Sequence, residues 1–380
     1  MIMSEWKEYR LGDVGKIVTG KTPKTAITDN YGGNIPFLSP SDNMELKYVP
    51  ITARHLTEKG LAEVKSCLIP ENSVCVSCIG SDMGKSVITV RPIVTNQQIN
   101  SIIPSSNFDT NFLYYILQNK KREIKFLGRN GTAVPILNKS AFSNLTIFAP
   151  ELDEQRSIAS ILSSLDSKIE NNRKICANLE AQAQALFKHW FIDFAPFKDG
   201  KFVESELGMI PEGWRVGKLG ELIEIKYGKD HKKLKEGAIP AYGSAGLMRY
   251  VDSSLYKGES ILIPRKGTLN NVMLVNEAFW TVDTMFYTIP KYEHLLKYVF
   301  LKLSRIDFTK LNVGTSIPSN STDQLNKMAI VIPPNNVLKT FDKLLNDIFV
   351  IKRHKIEESA RLVSLRDTLL PKLMSGEIKV

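Results

Sequence analysis

The sequence is poor in cysteine and has no long apolar run, and each absence excludes a class of protein. The four cysteines among its 380 residues are Cys67, Cys75, Cys78 and Cys176. So few cysteines in so long a chain do not form a disulfide framework. No apolar run reaches the ~20 residues that a membrane helix needs, and the segment from Met1 to Lys7 has no hydrophobic signal core. We therefore expect a cytoplasmic protein that does not contact a membrane.

Motifs of catalytic and metal sites are missing as well. The sequence has no G-x-S-x-G nucleophile elbow, no H-E-x-x-H zinc motif and no N/D-P-P-aromatic motif of amino-group methylation. The pair Cys75 and Cys78 lacks a second pair to complete a zinc site, so we predict buried, inert cysteines. The chain is expected to bind no metal or cofactor and to catalyse no reaction by itself.

One segment does match a catalytic pattern. The run from Gly15 to Thr22 fits the phosphate-binding pattern G-x-x-x-x-G-K-[ST] letter for letter. That motif needs a helix that opens at its Lys-Thr, whereas Pro23 pushes Thr22 away from helical angles. We interpret the segment as a basic turn, and a P-loop NTPase is kept as an alternative hypothesis.

The composition is that of a folded protein with a basic surplus. Hydrophobic residues make up 43% and charged residues 24%, which is typical of globular chains. Lys and Arg number 50 against 40 Asp and Glu, for a net charge of +10. A surplus of this size favours a polyanionic partner such as nucleic acid.

The sequence repeats itself, with similar anchors and different residues between them. Trp6-x4-Leu11-Gly12 recurs 208 residues later as Trp214-x4-Leu219-Gly220, and Gly20-Lys21 recurs at the same shift as Gly228-Lys229. Pro150 recurs after 183 residues as Pro333. Two copies of one scaffold with unlike loops are what two related sites with different ligands require, although a duplication whose loops have drifted would look the same.

Each copy consists of a strand-rich part followed by one long helix. We predict an α+β fold with a pseudo-two-fold internal repeat. Two mixed α/β domains, at residues 1–150 and 197–332, would be separated by two long antiparallel helices, at residues 151–196 and 333–380, that form a coiled-coil spacer.

Apolar residues recur every seven positions in both helical segments, which is typical of a coiled-coil seam. The middle of the second segment is polar, around Lys352 and Lys355. That middle could pair with the first helix, face water or contact another subunit. The predicted packing positions are Ile158, Leu162, Leu165, Ile169, Leu179, Leu186, Phe341, Leu345, Ile348, Leu362 and Leu369.

Basic and amide side chains occur in equivalent loops of both copies. Such cations contact phosphates, and such amides can form hydrogen bonds with base edges. The predicted phosphate contacts are Lys21, Lys24, Lys85, Lys229, Lys232, Arg265 and Lys266. The predicted base contacts are Asn96, Gln97, Gln98, Asn130, Asn270, Asn271 and Asn312, and Thr22 and Arg129 complete the DNA-binding set.

Three segments resemble the specificity subunits of type I restriction–modification systems. Residues 145–159 are similar to the start of that family's central conserved helix, and residues 205–214 to the start of its second recognition domain. Residues 365–378 are similar to its C-terminal end. The resemblance covers essentially the whole chain.

The resemblance implies a DNA-recognition subunit that has no active site. Two target recognition domains would each read one half of a split, asymmetric double-stranded target, and the helices would set the gap between the halves. Two methylation subunits would transfer a methyl group from S-adenosylmethionine to adenine. Restriction subunits, two where present, would use ATP and Mg. The alternatives are a coiled-coil scaffold that does not read DNA and the P-loop NTPase.

Overall fold

The computed structural model of the chain describes residues 6–49, 51–128, 135–312 and 319–380. The chain divides into two units. The first unit comprises Met1–Arg173 and Glu357–Val380, and the second comprises Lys174–Ile356. Each unit therefore contains one α/β region together with part of each long helix. The predicted four-segment division stays a prediction.

The first unit contains ten strands and four short helices in its described residues. The strands are β1 (Lys7–Arg10), β2 (Gly15–Thr19), β3 (Tyr31–Leu38), β4 (Arg54–Leu56), β5 (Leu68–Ile69), β6 (Val74–Ser77), β7 (Ser86–Ile88), β8 (Ile93–Thr95), β9 (Ile99–Pro104) and β10 (Thr146–Ala149). The short helices are α1 (Glu58–Glu63), α2 (Thr110–Asn119), α3 (Lys121–Leu127) and α4 (Lys139–Ser143).

These strands form three sheets, β1-β10, β2-β9-β6-β7 and β4-β3-β8-β5. All pairs are antiparallel except β3 with β8. Helix α2 packs its fully buried Phe112 and Leu113 into the main core of this unit. The side chain of Asp109 caps the start of α2 by accepting a hydrogen bond from the amide of Phe112.

The second unit repeats this mixed architecture with a wider sheet. Its strands are β11 (Phe202–Ser205), β12 (Gly208–Pro211), β13 (Arg215–Lys218), β14 (Ile223–Tyr227), β15 (Ile239–Gly243), β16 (Gly246–Val251), β17 (Tyr256–Pro264), β18 (Met273–Thr281), β19 (Met285–Pro290) and β20 (Ala329–Ile332). The long helix α5 (Leu152–Phe191) precedes these strands in the chain. The short helices that follow it are α6 (Leu219–Leu222), α7 (Leu296–Leu303) and α8 (Thr322–Asn326).

The main sheet of the second unit has the strand order β14-β19-β17-β18-β15-β16. An aromatic cluster packs the α/β region of this unit against its helical part. Phe191 contacts the rings of Trp214, Tyr298 and Phe341, at centroid distances of 5.8, 4.7 and 4.6 Å. Burial of such large rings is a major source of stability in a core.

The long helices are α5 and α9 (Asn335–Met374), each 40 residues long. Both end earlier than the predicted segments, which reached residues 196 and 380. Beyond α5, Phe194 adopts a left-handed conformation with φ of 49° and Pro196 follows, so the helix cannot continue. Beyond α9, Gly376 has φ of 72° and ends the helix in the same way.

The residues predicted to pack along the two helices are shielded from solvent, and their coiled-coil packing stays a prediction. None of the predicted packing positions is exposed: Ile158, Leu162, Phe341 and Leu345 are buried, and the others are at least half-buried. Within each unit the two helical parts run antiparallel. In the first unit Asp166 meets Arg366 and Asn172 meets Glu358, and in the second Glu180 meets Lys352.

The polar middle of α9 pairs with α5. Lys352 Nζ lies 3.1 Å from Glu180 Oε2, and the Lys352 carbonyl accepts a weak bond from the Cys176 thiol at 3.7 Å. Asn172 is fully buried, and its amide nitrogen donates to Glu358 Oε2 at 3.0 Å. A polar residue at a seam position selects one register over others. The question that the sequence left open is therefore answered in favour of pairing.

Candidate nucleic-acid interface

Both units use the same backbone frame at the positions where the sequence repeats. Strand β1 pairs with β10 from Lys7↔Ala149 to Arg10↔Thr146. Strand β13 pairs with β20 from Arg215↔Ile332 to Lys218↔Ala329, so the two registers correspond residue by residue at shifts of 208 and 183. The repeat seen in the sequence is therefore a repeat of structure.

The two Gly-Lys pairs occupy equivalent places in this frame. The amide of Lys21 donates to the Thr95 carbonyl at 2.9 Å, and the amide of Lys229 donates to the Thr281 carbonyl at 2.9 Å. A side chain at Gly20 would collide with the carbonyls of Thr95 and Asn96, and one at Gly228 with those of Thr281 and Val282. Glycine is needed because the loop passes directly over a strand end.

The loop after Gly20 is anchored through its backbone and leaves its cations outside. The Lys24 amide donates to Glu63 Oε2 at 3.0 Å, whereas the side chains of Lys21 and Lys24 are exposed. Thr22 Oγ1 donates to Gln97 Oε1 at 2.6 Å. The structure therefore brings the predicted residues Lys21, Thr22 and Gln97 together on one surface of the first unit.

The neighbouring amides differ in their accessibility. Asn96 is only 8% exposed, and its side chain accepts from the Gln98 amide and donates to Gln98 Oε1, each at 3.1 Å. Both groups of Asn96 therefore hold the turn. Gln97 is exposed, and Gln98 is half-buried. Of the three, Gln97 is the best placed to meet a base edge.

Lys85 already has two acidic partners. Its ammonium lies 2.7 Å from Glu45 and 2.6 Å from Asp82, and its side chain is 22% exposed. The hydrogen bonds that the ammonium donates to Asp82 and then to Glu45 raise the pKa of Lys85. A phosphate contact by Lys85 would have to compete with both carboxylates. Arg129 and Asn130 lie outside the described residues, and the side chain of Asn312 does too.

In the second unit, the loop that follows Gly228 is tied to strand β16. Arg249 Nη2 donates to the carbonyls of His231 and Leu234, at 2.7 and 2.8 Å. The side chains of Lys229 and Lys232 are exposed. The loop thus presents the predicted cations from a fixed backbone.

The loop from Arg265 to Asn271 divides its predicted residues between two roles. The guanidinium carbon of Arg265 lies 5.5 Å from the ring centroid of Tyr227, in a cation–π contact, while Lys266 is exposed. Asn270 uses both ends of its amide inside the protein, because it donates to Asp307 at 3.0 Å and accepts from the Phe308 amide at 2.8 Å.

Further contacts fix the same loop in place. Hydrogen bonds from Thr309 and then Asn270 lower the pKa of Asp307 to about 2, so its carboxylate stays ionised and keeps accepting them. Asn271 donates to the Ser244 carbonyl at 2.9 Å, which ties this loop to the β15–β16 hairpin. Base contacts by Asn270 and Asn271 remain predictions, and the structure gives both amides a positioning role.

The sequence reasoning missed the β15–β16 hairpin. It connects the two lysine-bearing loops through Arg249 and Ser244. Its edge strand also exposes Leu247, Met248 and Tyr250. The signal that could have revealed it is the pair Gly243 and Gly246 on either side of Ser244, since Gly and Ser cluster in turns.

Two other sequence features have structural roles. Gly15–Thr19 form strand β2, and no helix opens at Lys21-Thr22, so the run is not a P-loop. Cys75 and Cys78 are buried and accept hydrogen bonds from Ser101 and Asn100, both at 3.2 Å. Burial raises the pKa of Cys75 to about 12 and that of Cys78 to about 11, which keeps both thiols protonated and unreactive.

None of the helices in the described ranges combines the length and the apolar character needed to span a membrane.

Comparisons with known proteins agree with this arrangement. The family model "Type I restriction modification DNA specificity domain" matches residues 3–181 and 211–358. The chain is 29% identical over 411 residues to the type I restriction enzyme MjaIX specificity subunit of Methanocaldococcus jannaschii, covering 100% of this chain and 95% of the relative. It is 23% identical over 473 residues to the HindI specificity subunit of Haemophilus influenzae, covering 99% of this chain and 100% of the relative.

The fold has a solved counterpart. The crystal structure of a type I restriction–modification S subunit from M. genitalium superposes with a TM-score of 0.63 at 18% identity, over 98% of this chain and 97% of the other. The two matches to the specificity domain fall on the two structural repeats and cover most of the sequence. The chain belongs to the family of type I restriction–modification specificity subunits, which recognise DNA sequence.

Proposed function

We propose that the chain recognises a bipartite, asymmetric DNA target, with the α/β region of each unit bound to one half-site. One observation carries the proposal. The β1–β10 and β13–β20 frames correspond residue by residue, yet equivalent loops of the two units carry different side chains. At the equivalent turn the first unit carries Asn96, Gln97 and Gln98, and the second carries Val282, Asp283 and Thr284. Equivalent frames with unlike surfaces suit two different half-sites.

The long helices set the gap between the half-sites. In support of this, the predicted packing positions are buried or half-buried, and polar pairs such as Asp166 with Arg366 and Glu180 with Lys352 specify how the helices align. Two helices packed side by side resist bending, so the spacing between the half-sites follows from the length of the helices. In this role the coiled-coil spacer acts as a ruler that fixes how many unread base pairs separate the two half-sites.

The chemistry belongs to partner subunits. Two methylation subunits dock on this chain and transfer a methyl group from S-adenosylmethionine to adenine in each half-site, after the base is flipped out of the stack. Two restriction subunits, where present, use ATP and Mg. The specificity chain binds no cofactor, and the complex acts on double-stranded DNA in the cytoplasm.

The proposal is tested by mapping adenine methylation in cells with and without the gene. The expected result is a motif of two unlike half-sites, separated by a fixed unread gap, that disappears on deletion. A continuous motif would contradict the proposal that the target is bipartite. An unchanged methylome, together with a failure of the purified chain and its methylation subunits to select any sequence, would favour a scaffold that does not read DNA.

A further inference from the structure

An apolar strip lies on the edge of the second unit's main sheet. Strand β16 is the last strand of that sheet, and it exposes Leu247, Met248 and Tyr250 to 50%, 53% and 50%. Strand pairing shifts between Ala241 and Tyr242, so Met248 has no partner residue on β15. Bulges of this kind re-aim side chains and are common beside functional sites.

The strip is fixed between the two lysine-bearing loops. Arg249, within the same strand, holds the loop of Lys229 and Lys232 through two carbonyls. Asn271 holds the loop of Lys266 to the tip of the hairpin at Ser244. The exposed apolar residues therefore lie on a hairpin that is tied to both lysine-bearing loops.

This combination suits duplex DNA better than another protein. The lysines complement phosphates, and the chain carries a net charge of +10. The major groove offers one apolar feature to such a surface, the C5-methyl group of thymine. Apolar side chains among cations can contact that methyl while the lysines hold the backbone.

The corresponding place in the first unit is built differently. Strand β3 pairs in parallel with β8, as β15 pairs in parallel with β18. In the first unit the next strand, β4, begins only at Arg54, whereas in the second the turn Ser244-Ala245 leads directly into β16. The same position of the frame therefore carries unlike elements in the two units, as expected where two half-sites are distinguished.

We propose that Leu247 and Met248 read thymine through its methyl group in the half-site bound by the second unit. The inference rests on the proposed function and adds the chemical feature that is read. It assigns specificity to two residues that carry no hydrogen-bonding group.

The test uses the full chain in complex with its methylation subunits, and duplexes that carry the methylated motif. Thymines of both half-sites are replaced one at a time by deoxyuridine, which lacks the C5-methyl. Loss of one buried methyl should weaken binding roughly fourfold. We expect this loss at one or two thymines of a single half-site. Leu247→Ser or Met248→Ser should weaken binding to the thymine duplex and abolish the difference between thymine and uracil.

The hairpin β11–β12 supplies matched controls in the same unit. Leu207 and Met209 are 46% and 54% exposed, and Leu207→Ser and Met209→Ser should keep the thymine preference. The inference is overturned if wild type binds every deoxyuridine duplex equally well, or if the Leu247 and Met248 variants keep its preference. The wild-type comparison stands even if a variant misfolds. If the complex cannot distinguish the motif from a scrambled duplex, the proposed function itself fails.

Discussion

The phenol of Tyr115 donates a hydrogen bond of 2.6 Å to Asp166 Oδ2. The other carboxylate oxygen, Asp166 Oδ1, accepts from Arg366 Nη1 at 2.9 Å. Lys47 Nζ lies 3.1 Å from the Tyr115 hydroxyl and 2.7 Å from Ser163 Oγ. These contacts join α2, α5 and α9, so one partly buried polar network attaches the α/β region of the first unit to its helices.

Removal of the Asp166 carboxylate should destabilise the first unit. The side chain is 14% exposed, and Asp166→Ala leaves the Tyr115 hydroxyl without its acceptor and the Arg366 guanidinium with Asp367 alone. Breaking a largely buried pair of this kind costs about 2–4 kcal/mol. Urea unfolding, followed by circular dichroism, measures the free energy of unfolding.

Asp153 provides the control for this substitution. It lies on the same helix, its side chain is 98% exposed, and it pairs with Arg156 only at 3.5 Å. Asp153→Ala should change the free energy of unfolding by less than about 0.5 kcal/mol. Equal effects of the two substitutions would mean that this partly buried network contributes little.

Stability should also depend on pH through Lys47. Burial lowers the pKa of Lys47 from the ordinary value of 10.5 to about 8. The negative charges of Asp166 and Asp109 raise this pKa, but by less than burial lowers it. Between these two pKa values the unfolded chain binds a proton that the folded chain does not, so stability rises with pH. The unfolding free energy of wild type, relative to Lys47→Met, should increase from about pH 8 to pH 10. A flat or falling difference would contradict the assignment.

The glycines under the two lysine loops should not tolerate alanine. A Cβ at Gly20 or Gly228 would collide with backbone carbonyls, which cannot move as a flexible side chain could. Either substitution should cost about 2–3 kcal/mol and displace its loop. At Gly12 the nearest atoms to an added Cβ are 3.5 Å away, an ordinary contact, so Gly12→Ala is the control. Thermal unfolding of the three variants checks the order, and equal stability would be evidence against the close approach.

Lys266 should act on DNA through its charge alone. It is exposed on the loop that Asn271 anchors. Lys266→Ala should weaken binding to all sequences and reduce the slope of log affinity against log salt by about one. Lys201 is exposed before the β11–β12 hairpin, and Lys201→Ala should leave the slope unchanged. An identical slope for wild type and Lys266→Ala would remove Lys266 from the interface.

The sequence predicted the features that depend on spacing. Heptad positions such as Ile158 and Phe341 could be placed because helical periodicity alone decides which residues share a face. The anchors Gly20 and Gly228 were recognisable because they recur at the same shift of 208 residues. The structure adds the reason for glycine, since a Cβ at either position would collide with backbone carbonyls.

The roles of individual loop side chains could not be predicted in this way. Asn270 looks like a base-reading amide in the sequence, and its partners Asp307 and Phe308 lie 37 and 38 residues away in the chain. Leu247 and Met248 look like core residues, because exposure on an edge strand depends on tertiary packing. Long-range contacts thus decide which side chains are left to meet DNA.

The ruler role of the helices is tested most directly by lengthening both of them. Seven residues inserted between Arg173 and Lys174, and seven between Ile356 and Glu357, would keep the seam in phase and add about 10 Å. At ~3.4 Å per base pair this is about three base pairs. The methylome of cells carrying this variant should show both half-sites unchanged and a gap about three base pairs longer. An unchanged gap, or altered half-sites with the old gap, would contradict the account.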